Sequence, residues 1–88
     1  MGFKVKEIQP TPNPNAAKFI LDREISDRPI SFLNAEQGRG DPLAGALFLV
    51  QGVTSVLILG DFVTINKVSE AKWETITEKV EEILKKFG

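Results

Sequence analysis

The sequence contains no cysteine and no histidine. Those two absences exclude more than any residue present. Iron–sulfur clusters are held by thiolates and structural zinc by cysteine or histidine, so neither centre can be built conventionally from this chain. Thiol nucleophiles and serine–histidine pairs are closed off as well. Carboxylates are left as metal ligands, and they favour hard cations. An excess of charge is also missing. Lys plus Arg number 11 against 12 Asp plus Glu, for a net charge of −1, which gives no basic field for nucleic acid. No apolar run is long enough to span a bilayer. The N-terminal Met-Gly-Phe-Lys-Val-Lys-Glu lacks the apolar stretch of a signal peptide. The expectation is a chain without cofactor or metal that binds neither nucleic acid nor membrane, in the reducing cytoplasm where cysteine-free proteins are at home.

What is present suits one small domain over residues 1–88. Hydrophobic residues make up 42% of the chain and charged residues 26%, the balance of an ordinary soluble domain. The most distinctive stretch is Pro10-Thr-Pro-Asn-Pro-Asn15. Each proline lacks an N–H and fixes φ, and each pushes the residue before it toward extended geometry. A tight hairpin needs only two turn residues. Here a stiff loop with amide side chains joins two strand-like runs, and loops carried on a rigid scaffold are where binding groups gather.

The remaining elements follow from periodicity. Residues 3–8 alternate apolar and charged, and residues 17–21 are apolar and β-favouring, so both read as strands. Residues 22–29 are polar and turn-rich, residues 30–33 fit a short edge strand, and residues 34–40 read as a loop. Asp41-Pro42 then opens a mostly apolar helix, with Asp41 as N-cap, Pro42 in the first turn and Gly52 at the C′ position. Residues 53–59 and 62–67 flank Gly60-Asp61 as a type II′ hairpin. Ser69 is expected to cap the last helix, with Val68 and Trp73 as a hydrophobic staple. Trp73, Ile76, Val80, Ile83, Leu84 and Phe87 form one apolar stripe. The fold expected is α+β: a two-layer sandwich with a four-stranded, mostly antiparallel sheet and two helices on one face, in the order β-β-α-β-β-α.

Candidate binding groups come from the loops. Thr11, Asn13 and Asn15, with Lys18 just beyond, could form a polar clamp for a partner. The same amides could equally do no more than satisfy the backbone of their own loop. Arg39, between Gly38 and Gly40, could contact an anion near the helix start at Asp41; a flexible surface loop explains it as well. Glu36, Asp41 and Asp61 stand singly, with no spacing that pairs them for acid–base chemistry. Trp73 and Phe87 are assigned to the core stripe rather than to ligand stacking.

Three segments, in order and at matching spacing, resemble the Nfu/NifU N-terminal domain family associated with iron–sulfur cluster biogenesis. They are Thr11-Pro-Asn-Pro-Asn-Ala-Ala-Lys-Phe19, Pro42-Leu-Ala-Gly-Ala-Leu-Phe-Leu-Val-Gln-Gly-Val53, and Asp61-Phe-Val-Thr-Ile-Asn-Lys67 followed by Trp73. The resemblance runs from about residue 5 to residue 87. It implies the fold above and an accessory or protein-interaction role in cluster assembly or delivery, with iron–sulfur assembly or recipient proteins as partners. Cluster ligation in longer family members belongs to a Cys-x-x-Cys motif in a separate C-terminal domain, and this chain has no cysteine to carry it over. The loop from Thr11 to Asn15 matches the family pattern position by position; the stretch around Arg39 departs from it. Two other readings stay open on residue chemistry: an oxygen-ligand iron-binding protein, and a small enzyme of unknown type.

Overall fold

A computed structural model describes residues 2–87. β1 (Val5–Pro10) and β2 (Ala16–Leu21) pair antiparallel across the proline loop. β3 (Ser26–Phe32) follows, then a 3₁₀ turn over Gln37–Gly40 and α1 (Pro42–Phe48). β4 (Val53–Gly60), β5 (Phe62–Lys67) and α2 (Trp73–Lys86) complete the chain. The strands form one five-stranded antiparallel sheet in the order β1-β2-β5-β4-β3.

The sheet therefore has five strands, not the four expected. The fifth is β3, which begins within the stretch read as turn-rich. Its sequence, Ser-Asp-Arg-Pro-Ile-Ser-Phe, carries charges and a proline. An edge strand tolerates both, because one side of its backbone faces solvent and needs no ladder partner. Register slips between Ser26 and Ile30, which places Pro29 in the irregular part of the strand.

The period-2 pattern of the central strands sets the layers. Phe19, Leu21, Val56, Ile58, Val63 and Ile65 are buried on one face of the sheet. Leu43, Ala44, Leu47 and Val50 of the α1 region pack on that face with Ile76, Val80 and Leu84 of α2. Both helices thus lie on the same side, as the apolar stripes require. The opposite face stays open and carries half-buried Ile20, Leu57 and Phe62.

Local signals read from sequence hold at several joints. The Asp41 carboxylate accepts from the Ala44 N–H at 3.0 Å, and Pro42 occupies the first turn. Gly60 takes φ +58°, no non-glycine residue among those described has positive φ, and Leu59 pairs with Phe62. Positive φ at the first turn residue alone is the type II′ signature. Gly52 has φ +99°, but it lies beyond the C′ position, since α1 ends at Phe48 with Leu49 as cap.

The start of α2 differs from expectation. Ser69 does not cap it; the N-cap is Lys72, and the Ser69 hydroxyl instead donates to the Glu70 carboxylate at 2.8 Å. Residues 68–71 form a turn closed by the Ala71 N–H on the Val68 carbonyl. The expected Val68–Trp73 staple falls away with that shift. Val68 is exposed, and the Trp73 ring meets Phe19 and the proline loop.

Candidate functional site

The loop of residues 11–15 is held by its own polar groups. The Thr11 hydroxyl lies 2.8 Å from the Asn13 carbonyl and 3.1 Å from that of Ala16, and it accepts from the Asn13 N–H. The Asn13 side-chain oxygen accepts from the Asn15 N–H at 2.9 Å. This is an Asx-type closure, the local bonding that asparagine supplies in turns. With the three prolines removing torsional freedom, the loop is rigid before any partner arrives.

Asn15 reaches further. Its side-chain oxygen accepts from the Lys67 ammonium at 3.1 Å. Among the described residues Lys67 is the buried charged residue of the core face, 8% exposed. Its ammonium also donates to the Val68 carbonyl at 3.2 Å and lies 5.5 Å from the centre of the Trp73 ring. A buried ammonium needs such partners, because an unpaired buried charge is costly. Lys67 had no sequence signal beyond its place at the end of an apolar strand, and it locks the loop to β5.

Trp73 locks the same loop to α2. Its indole N–H donates to the Pro14 carbonyl at 2.9 Å, across 59 residues of chain. Its ring tilts against Phe19 at 53° with 6.4 Å between centroids, within the range of favourable aromatic pairs. Trp73 is half-buried rather than a full core residue. Periodicity placed it on the correct face of α2 but could not show that the loop lies opposite.

These contacts shape a groove of about 340 Å³ between β1 and α2. Ile8 and Pro10 form one wall, Ala16 and Ala17 the floor, Trp73 and Thr77 the other wall. Thr11, Asn13 and Pro14 close one end. The groove is mostly apolar, and Ile8 is 38% exposed along it. It contains no nucleophile paired with a base. Among the described residues no three carboxylates converge where an ion could be held.

The structure brings Thr11, Asn13 and Asn15 together and adds Trp73 and Lys67 to them. It does not bring Lys18 or Arg39 to the groove. Lys18 alternates with Phe19 to the open face of the sheet, where its ammonium sits 4.0 Å over the Phe62 ring. Arg39 is exposed on the 3₁₀ turn that packs against α1. Residues 34–40 are thus partly structured rather than a plain loop: Asn34 accepts from the Gln37 N–H, and Gly38 is buried beneath Phe48.

The fold is a two-layer α+β sandwich in which the proline loop and α2 leave an apolar groove beside β1. The family profile described as "Scaffold protein Nfu/NifU N terminal" matches residues 5–88, and the chain belongs to that family. Its relatives include the NFU1 iron–sulfur cluster scaffold homolog, mitochondrial, of Drosophila ananassae, 35% identical over 92% of this chain and 29% of that protein. Uncharacterized protein YpgR of Bacillus subtilis is 35% identical over 89% of this chain and 21% of its own length. Among solved structures, a NifU-like protein from Saccharomyces cerevisiae superposes with TM-score 0.83 at 30% identity, covering 97% of this chain and 77% of that one. The crystal structure of Staphylococcus aureus SAV1430 gives TM-score 0.77 at 28% identity, covering 91% and 96%. The chain spans less than a third of the length of the curated relatives it matches.

Proposed function

We propose that this chain is a non-catalytic docking domain for iron–sulfur cluster assembly or delivery, which binds a protein partner without itself ligating a cluster. The carrying observation is the clamp that joins Pro14 to Trp73. It fixes a stiff loop beside an apolar groove, and preorganised surfaces lose less entropy on binding. Membership of the Nfu/NifU N-terminal family supplies the biological setting. The lack of cysteine and histidine supports leaving cluster ligation to the partner or to another polypeptide segment. Thr11 and Asn13 belong to the docking surface as the end of the groove. Asn15 supports it from behind through Lys67. Lys18 and Arg39 stand as outlying candidates.

Affinity capture from native cells tests this reading. The natural chain should recover iron–sulfur assembly or recipient proteins. Thr77→Arg, which fills and charges the groove at a half-buried position, should keep the melting temperature within a few degrees and lose that recovery. Equal recovery by both chains, or recovery of no iron–sulfur protein by either, would overturn it.

A further inference from the structure

Given that docking role, we infer that the occupant of the groove is an extended basic segment of a partner protein, added as a sixth strand along β1. Three independent observations converge on it.

The first is the open edge. β1 ends the sheet. The Leu21 N–H bonds to the Asp61 carbonyl and the Lys67 N–H to the Asn15 carbonyl, so odd-numbered residues of β2 direct their backbone groups toward β5. Even-numbered residues then face β1, as the Asp22 N–H on the Lys4 carbonyl confirms. Lys18 pairs with Gln9 and Ile20 with Glu7, which makes Glu7 and Gln9 the inward-bonded residues. By the alternation of an antiparallel ladder, Ile8 turns its N–H and carbonyl outward. Pro10, two residues on, turns only its carbonyl outward, so the edge offers a docking strand the Ile8 N–H and the carbonyls of Ile8 and Pro10. The bulge between Val5 and Glu7 limits regular pairing to the segment beside the groove.

The second is alignment. The Phe3 N–H bonds to the Leu84 carbonyl at one end of α2, and Trp73 bonds to Pro14 at the other. β1 therefore runs antiparallel to α2 along its length, and a strand added to β1 lies beside the same helix. Directly opposed residues in a sheet share a face, so the residue opposite Ile8 points its side chain to the helix side, over the groove.

The third is charge. Thr77 lines both the groove and an adjoining surface formed with Glu74, Glu78, Glu81 and Glu82, where, among the described residues, Lys85 is the one cation. Glu74 and Glu78 are separated by ~6 Å along the helix axis. Alternate side chains of an extended strand repeat every ~6.7 Å. Two arginines or lysines at i and i+2 thus match the carboxylates, with their aliphatic stems over Ile8, Pro10 and Trp73 and their charged heads at the rim. Long cationic side chains cover apolar surface in this way. Strand addition with pockets for alternate side chains is an established mode of peptide capture.

The test is an NMR titration of the full chain with an acetylated, amidated heptapeptide that alternates threonine and arginine. Saturable shifts are expected at the Ile8 amide, the Thr77 amide and the Trp73 indole N–H. Glu74→Gln with Glu78→Gln should weaken binding about fivefold or more, as should raising salt from 50 to 500 mM, which screens exposed charge. N-methylation of the arginine amides should abolish binding, because those amides face Ile8; N-methylation of the threonine amides should not. No saturable shift, equal binding of a heptapeptide with glutamate for arginine, or indifference to arginine N-methylation would overturn the inference. If the peptide fails while Thr77→Arg still loses iron–sulfur partners, the basic-strand occupant falls and the docking role stands. If the peptide binds and partner recovery ignores Thr77→Arg, the docking role falls instead.

Discussion

Two side chains, Lys67 and Trp73, connect the proline loop to the rest of the molecule. Each predicts a distinct loss. Trp73→Phe keeps the ring against Phe19 and removes the bond to Pro14, which should cost about 1 kcal/mol. Trp73→Ala removes the ring as well. Full burial of an aromatic would make that about 3–5 kcal/mol; a half-buried ring should cost about 2–3 kcal/mol, read as a shifted urea midpoint with a cooperative transition retained. Asn15→Ala leaves the buried Lys67 ammonium short of one acceptor, at about 1–3 kcal/mol. Asn13→Ala removes one cap of the loop backbone and should cost about 1 kcal/mol. Equal urea midpoints for wild type and Asn15→Ala would show that the Lys67 contact contributes nothing. At this scale the sequence was partly legible. The turn-closing bond of Asn13 is legible because it is local. The roles of Asn15, Lys67 and Trp73 depend on residues brought from 52 and 59 positions away, which no local pattern records. The Glu70 carboxyl is held below the usual carboxylate range by the Ser69 hydroxyl bond, aided by its own backbone N–H. Ser69→Ala should therefore raise its titration midpoint, followed by NMR.

Among the elements, those with strong local chemistry were legible. Asp41-Pro42 marks the start of α1 and Gly60-Asp61 the β4–β5 turn, and both form as read. Asp41→Ala should cost about 1 kcal/mol through the lost cap, seen in thermal melts. Gly52→Ala should cost more, since φ +99° is unfavourable for a side chain and the new Cβ would meet the Ala71 Cβ at 2.6 Å. A Gly52→Ala protein as stable as wild type would mean that this turn can open freely. The elements misread are those where tertiary position overrides composition. The first half of β3, residues 26–29, looks like a turn because it has charges and a proline, and it extends the edge strand read at residues 30–33 because the sheet edge accepts them. α2 starts after Lys72 rather than at Ser69, a good cap by residue type, because the Ser69 hydroxyl bonds Glu70 instead.

For the whole molecule, the two-layer arrangement was legible from the order of elements and the apolar periods. The groove was not, because it arises where the β1–loop–β2 hairpin meets α2, which lies 59 residues further along the chain at Trp73. Its walls depend on sheet order, which places β1 at an edge and beside the helix. The sequence resemblance identified the loop as shared with a family, and the fold explains what the loop does there: it closes one end of a preformed channel. The open face of the sheet, with Ile20, Leu57 and Phe62, offers the contrasting surface against which the groove can be judged. The most direct measurement is photocrosslinking in living cells from a benzoylphenylalanine residue placed at position 77 or at position 57. A docking groove predicts a crosslink from position 77 to an iron–sulfur assembly or recipient protein and none from position 57. Crosslinks from position 57 alone, or from position 77 only to proteins without any part in iron–sulfur chemistry, would contradict it.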